Sequence, residues 1–281
     1  TGESSLDRLA NLGEIALENG DRETAIKAFE FIVENAGQPS TKLKGELSLI
    51  DIELLDAKGK KLDAIEKKFN TLLDGKTLQL QIAYANFLTF KKENPNPAIA
   101  MLKRSLEEPL GRFGKAYIKL ALGDILVYDR RFNEALIYFS QVQKSLKNDV
   151  LGQDARFKVA QTSFYKGDFD WALTQLKVLR GSTSQLIAND AMQLSLLISD
   201  NSFEDSTQTA LKKYARADLL AYQNKDEEAI SILGDILENH KGEKIEDEAL
   251  LRQGQLFETR NEFAKAQLNY QKIVEFYGED I

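Results

Sequence analysis

The sequence predicts an all-helical protein of stacked antiparallel helix hairpins, and three observations carry that reading. A small residue is followed twelve positions later by alanine five times, as Gly13/Ala25, Gly123/Ala135, Ala160/Ala172, Ala217/Ala229 and Gly254/Ala266. Between most of these pairs sits a turn signal at a fixed offset. The four prolines, Pro39, Pro95, Pro97 and Pro109, all fall in the first 109 residues, so the rest of the chain lacks the strongest helix breaker. Where two helices cross closely, a side chain larger than Gly or Ala would push the backbones apart.

Taken in chain order, the first hairpin turns at Asn19-Gly20-Asp21, where Gly supplies the left-handed conformation that ends a helix and Asp suits the next helix start. Phe29 and Ile32 follow Ala25 at four and seven residues, which marks one face of an amphipathic second helix. Weaker pairs follow, over 43–73 around Ala64 and over 78–106 around Ala98. The fourth has Phe132, Ala135, Phe139 and Val142; the fifth turns at Lys166-Gly167-Asp168 before Phe169, Ala172, Leu176 and Leu179. The alanine spacing then jumps from 37 to 57 residues between Ala172 and Ala229. Leu186, Ile187, Met192, Leu196 and Leu197 form a helical apolar pattern there, which reads as an unpaired helix over 185–198. Asp200-Asn201-Ser202 and Asp205-Ser206 supply a turn and a new helix start. The last two hairpins turn at Asn224-Lys225-Asp226 and Asn261-Glu262, with Leu233, Ile236, Tyr270 and Ile273 on their second helices. The expected organisation is repeats over 1–183, an extra helix and joint over 184–203, and further repeats over 204–281.

Small residue, alanine twelve on, aromatic four after that, with Phe132, Phe169 and Phe263 just past the turns, resembles the tetratricopeptide repeat. Ala64, Ala98, Ala135 and Ala172 are spaced by 34, 37 and 37 residues, close to that family's period of about 34. The resemblance implies a right-handed α-solenoid, a superhelix of about seven hairpins plus one extra helix. A lone hairpin cannot bury its apolar face, so the copies stack. More loosely, residues 188–201 and Ala215-Arg216-Ala217-Asp218 resemble envelope-associated repeat proteins of Bacteroidota bacteria. That implies a periplasmic or outer-membrane-associated location, with the cytoplasm as the other possibility.

Composition narrows the function classes. With 281 residues, 43% hydrophobic and 29% charged, the chain has material for a core. It has no cysteine, which removes disulfides, thiolate nucleophiles and zinc–thiolate sites together. A net charge of −7 opposes attraction to nucleic acid, and no run approaches the roughly 18 apolar residues of a membrane span. Charge is uneven: residues 51–150 hold 17 basic and 13 acidic side chains, residues 201–281 hold 10 and 17. The chain opens on Thr1 rather than Met, which is compatible with removal of a signal peptide or lipid-anchor segment.

Motifs that could carry catalysis read better as parts of the repeat. Ser163-x-x-Lys166 fits a serine–lysine nucleophile pattern but ends a first helix, and Gly167-Asp168 continues the turn signature. Gly75-Lys76-Thr77 lacks the upstream glycine of a phosphate loop, Asn70 standing in its place, and reads as an inter-repeat turn. Gly111 to Gly114 reads as a linker after Pro109. The acidic runs 226–228 and 246–248 suit helix starts, and the single histidine, His240, sits where a second helix ends. No enzyme activity, cofactor or metal is expected.

In the family the first helix of each hairpin lines a concave face. Mapped here, that face carries Tyr117, Asp124, Val127 and Tyr128, then Asp154, Phe157, Gln161, Phe164 and Tyr165, then Tyr214, Asp218 and Tyr222. Exposed aromatic sets mark protein-binding surfaces, because tyrosine gives a large contact area at low entropy cost. Co-chaperone members grip a carboxylate with lysines and asparagines. Here Asp124, Gln161, Asp218 and Gln255 stand at the asparagine positions and Leu120, Phe157, Tyr214 and Leu251 at a lysine position, so carboxylate capture is not expected. The sequence therefore predicts a scaffold that binds a protein or peptide segment in an aromatic groove. The alternative is a structural module whose groove is filled by its own chain or by a second copy as a homodimer. A competing surface is the basic patch Lys58, Lys60, Lys61, Lys67 and Lys68.

Overall fold

A computed structural model of the protein describes residues 2–73, 77–202 and 208–277. Among them every regular element is helical: α1 Glu3–Glu18, α2 Arg22–Asn35, α3 Pro39–Leu54, α4 Lys60–Leu72, α5 Leu78–Asn86, α6 Pro95–Ser105, α7 Arg112–Tyr128, α8 Phe132–Ser145, α9 Val150–Lys166, α10 Phe169–Leu179, α11 Gln185–Ser202, α12 Thr209–Tyr222, α13 Asp226–Asn239, α14 Ile245–Thr259 and α15 Phe263–Phe276. Seven hairpins and one unpaired helix, α11, result, as the spacing predicts. Consecutive helices pack on one another, α1 on α2, α7 on α8, α8 on α9, α12 on α13 and α14 on α15. The turn read at Gly75-Lys76-Thr77 and the helix start at Asp205-Ser206 lie wholly or partly outside the described residues.

The five strong hairpins share one turn. The seventh residue after the small one takes a left-handed backbone each time: Gly20, Arg130, Gly167, Asn224 and Asn261. The amide of the following residue donates to a carbonyl five residues back at 2.8–2.9 Å, as in Asp21 N–H to Ala16, Arg131 to Leu126 and Asp168 to Ser163. These paired bonds satisfy carbonyls that a helix end would leave bare. Arg130 is the copy that no turn signal announces.

The small residue has a more specific reason than close crossing. A Cβ built on Gly123 would stand 2.3 Å from Cε1 of Phe139; on Gly13, 2.8 Å from Cζ of Phe29; on Gly254, 2.6 Å from Cε1 of Tyr270. Each ring, sixteen residues on, lies against the glycine. Where the small residue is alanine, as at Ala160 and Ala217, the residue sixteen on is Leu176 or Leu233, and all four are fully buried. Glycine thus goes with an aromatic and alanine with leucine, keeping the filled volume nearly constant.

Two compact units divide the chain, Thr1–Ser105 and Leu106–Ile281. The extra helix expected to form a joint lies inside the second unit, where Ile187, Ala191 and Ile198 join a core with Phe164, Leu176, Leu211 and Leu233. Gly111 precedes α7 as its N-cap and Gly114 lies in its first turn, so only part of the expected linker is one. In the first unit, Ala64 is a correction: it is exposed, and α4 buries Ile65 and Phe69 instead, one residue out of the predicted register. Ala98 is buried as expected, and the fully buried small residue of the preceding helix is Ala85, thirteen residues back. A single π-helical turn, Phe87–Lys91, inserts the additional residue, and the left-handed position moves with it to Glu93.

Candidate functional site

Four helices of the second unit converge on a cleft of about 740 Å³. From α9 come Phe157, Gln161, Phe164 and Tyr165; from α12, Tyr214, Asp218, Ala221 and Tyr222. The two sets have the same spacing along their helices, offset by the 57 residues that separate Ala172 from Ala229. One repeat position thus supplies the same face twice. α14 adds Glu248, Leu251, Arg252 and Gln255, and the unpaired α11 closes a wall with Asp190, Gln193, Leu194, Leu196 and Leu197.

Seven of the ten predicted partner-binding residues meet here: Phe157, Gln161, Phe164, Tyr165, Tyr214, Asp218 and Tyr222. They are not equally available. Phe164 and Tyr214 are buried, at 1% and 7% exposure, and pack as core. Phe157, Tyr165 and Tyr222 are partly open, with the Tyr165 and Tyr222 rings 6.2 Å apart. Tyr117, Asp124 and Tyr128 are not part of the lining. Tyr117 is 48% exposed on α7. Asp124 is ion-paired to Lys158 at 2.8 Å. Tyr128 is buried, and its carbonyl accepts from Gln223 Nε2 at 2.6 Å. That bond and a second from Tyr222 Oη to the Asp124 carbonyl, 3.1 Å, fasten the end of α12 to the end of α7. Val127 is buried as well, and Asp154 lies beside Lys158. Burial works against the Lys158 charge, yet Asp124 and Asp154 outweigh it and hold its ammonium above the usual lysine range.

The polar groups of the cleft are arranged around α12 and α14. Asp218 pairs with Arg252 at 2.6 Å and also hydrogen-bonds the Tyr165 hydroxyl. Arg252 Nε is buried without a hydrogen-bond partner. Burial, with nearby carboxylates adding to it, pushes the phenols of Tyr165, Tyr214 and Tyr222 well above the usual range. They stay neutral at physiological pH and serve as aromatic faces and donors, not as bases. The Glu248 carboxyl is pushed up by burial, then by Asp247 and Asp200. Among the described residues neither Glu248 nor Asp190 has a cation partner within ion-pair distance.

Elsewhere the discarded motifs behave as structure. Ser163 is buried and its hydroxyl donates to the Val159 carbonyl at 2.8 Å, while Lys166 pairs with Asp168, also at 2.8 Å. His240 caps α13, with Glu243 at 2.9 Å and Lys213 at 3.2 Å from its ring nitrogens. The runs 226–228 and 246–248 occupy first turns of α13 and α14. No helix is long and apolar enough to cross a membrane, among the described residues. A second recess of about 750 Å³, against Phe263, Tyr270 and Val274, is the outward face of the last hairpin and brings few polar groups together.

Sequence reasoning missed the wall formed by α11 and the two α14 side chains Glu248 and Arg252. The signal for Ala221 was present in the 57-residue offset from Phe164. Nothing in the repeat could place α11, because it has no counterpart in the other copies.

No family model and no curated protein matches the chain. Among solved structures it is similar to a Rap protein complexed with competence and sporulation factor, at 17% identity and a TM-score of 0.42, over 97% of this chain and 76% of that one. The hairpin stack described above stands on its own packing and not on this likeness.

Proposed function

We propose that the protein is a non-catalytic scaffold that holds a segment of a partner protein in the cleft between α9, α11, α12 and α14. The observation that carries this reading is the cleft itself. Half-open aromatic rings from two equivalent repeat positions face a wall made by a helix that the repeat does not need, and polar side chains such as Gln161, Gln193, Asp218, Arg252 and Gln255 alternate with them. Aromatic anchors interleaved with hydrogen-bonding side chains are what a protein or peptide segment, with its own alternation of side chains and backbone polar groups, requires. The cleft's phenols are held neutral and serve as contact area, and Ser163 and Lys166 lie outside the lining. The assembly is placed in a bacterial envelope on the resemblance of residues 188–201 and 215–218 alone, and fractionation of native cells tests that part.

A photo-reactive residue introduced at Gln193, on the exposed rim of α11, should cross-link to a partner in native cells, and one at Lys61 on α4 should not. Filling the cleft with Gln193→Trp should abolish capture at unchanged helicity. Cross-linking confined to Lys61 would move the site to the basic patch. A cross-link between two copies, with a dimer in solution, would make the cleft a self-association surface.

A further inference from the structure

We infer that the outer face of the α7–α8 hairpin is a second interaction surface, which takes an acidic segment of a partner protein on Lys115, Lys119 and Lys144, with an aliphatic side chain of that segment against Ile137. This face shares no lining residue with the cleft and does not depend on it. The repeat shows which side chains meet there. In α12 and α13, Lys213, four residues before Ala217, pairs with Asp235, six residues after Ala229, at 2.5 Å. In α1 and α2 the same two positions are Leu9 and Phe31, which line one recess. In α7 and α8 they are Lys119 and Gln141, so the lysine is kept and its carboxylate is not. About one turn further along the two helices stand Lys115 and Lys144, and α13 has Glu238 at the Lys144 position. Gln141 and Lys144 share a shallow recess of about 410 Å³ with Ile137, which is 57% exposed.

This charge has no answer within the chain. Residues 112–147 hold seven basic and three acidic side chains. All three carboxylates are spent, Asp124 on Lys158 at 2.8 Å, and Asp129 and Glu134 on Arg131 at 3.7 and 2.7 Å. Among the described residues Lys115, Lys119 and Lys144 form no ion pair. Burial, and then Lys115, hold the half-buried Lys119 ammonium below the usual lysine range, and no carboxylate offsets them. Packing does not demand this excess, because the α12–α13 hairpin carries carboxylates at two of the same surface positions. Ile137 decides among anions. Inorganic phosphate has nothing to place in the recess, and a nucleic-acid duplex would meet a chain of net charge −7. An acidic protein segment brings carboxylates for the lysines and an apolar side chain for the recess.

The test is a random decapeptide library displayed on phage, selected against the full chain and against its Lys115→Gln/Lys119→Gln/Lys144→Gln variant. Both chains carry Gln193→Trp, so that the cleft contributes nothing, and both are checked for unchanged helicity. Peptides with several Asp or Glu and one Leu, Ile or Val should be enriched on the lysine-bearing chain only. In fluorescence anisotropy, synthetic copies should bind about tenfold more tightly than copies with Asn and Gln in place of the acids, a difference that shrinks in about 0.5 M salt. Ile137→Ser should weaken the acidic copies about threefold. Equal enrichment of acidic peptides on both chains, or no acidic enrichment on either, would overturn the inference, as would a Kd unmoved by the amide copies. Duplex DNA that binds the parent and not the triple variant would make the face a nucleic-acid surface instead. A dimer in solution that the three substitutions dissolve would make the occupant a second copy. The cleft is untouched by all of these outcomes, since cross-linking at Gln193 tests it separately.

Discussion

The pairing of glycine with an aromatic ring, and of alanine with leucine, is testable by moving one copy into the other's state. Gly123→Ala puts a Cβ at 2.3, 2.5 and 2.8 Å from three carbons of the fully buried Phe139 ring, closer than such atoms approach. Replacing a mid-helix glycine by alanine favours the helix by about 0.8–1 kcal/mol. Overpacking a core position costs about 1–3 kcal/mol, and three short contacts to an enclosed ring belong at the upper end. The single variant should therefore lose about 1–2 kcal/mol net. Phe139→Leu alone leaves a partial void and should cost about 1–2 kcal/mol. The double variant recreates the Ala160/Leu176 pair and should return to within about 1 kcal/mol of the parent, a coupling of about 1–3 kcal/mol. Urea unfolding followed by far-ultraviolet circular dichroism on all four proteins reads this out. If the two single costs add to within about 0.5 kcal/mol, the volume-exchange account is wrong and the glycine has some other cause.

Other outcomes follow from single contacts. Arg130 holds the left-handed position that glycine holds in two other copies, so Arg130→Gly should stabilise by about 0.5–1 kcal/mol in the same assay, and a loss would show that the arginine is not strained there. Gln223→Ala removes the 2.6 Å bond to the Tyr128 carbonyl and should cost about 1–2 kcal/mol, with faster amide exchange at the end of α7; unchanged exchange would mean that α12 is not held there. Ala172→Leu, at a fully buried position, should cost about 1–3 kcal/mol, and an unchanged melt would show that its register is misjudged. Because the folded chain raises the Glu248 carboxyl above its ordinary value, its ionisation costs stability that returns as pH falls through the raised value. Glu248→Gln should thus melt higher than the parent at neutral pH, with the gain shrinking toward acid pH, and a lower melt at neutral pH would refute the burial cost.

Hairpins were legible wherever the twelve-residue spacing was intact, since that spacing is set by the length of a helix and the turn that closes it. It failed where the backbone itself changed. The π-helical turn at Phe87–Lys91 lengthens its hairpin by one residue, and a one-residue insertion in a helix leaves no mark in composition. Ala64 misled because an alanine at nearly the family period is common by chance in a charged helix, while the burying residues Ile65 and Phe69 stood one step away. For the cleft, periodicity could say which face of α9 and α12 turns inward. Depth was beyond it. Phe164 and Phe157 share a face and differ only in how far neighbouring helices cover them, and Tyr128 was sealed by Gln223, 95 residues later in the chain.

The interruption in the repeat and the cleft have one origin. In an unbroken stack each first helix is flanked by its neighbours, and the face they share is an open strip. Here α11 packs on α10 and α9 at one end and touches α12 and α14, so a strip common to α9 and α12 gains a side wall. The wall is dressed unevenly: Ile187, Ala191 and Ile198 point into the core, whereas Asp190, Gln193 and Leu194 point to the cleft. Tyr222 ties the same region together, because its hydroxyl donates to the Asp124 carbonyl while its ring lines the cleft. Contact made on that ring therefore bears on the contact between α7 and α12, and occupancy of the cleft and rigidity of the second unit should rise together.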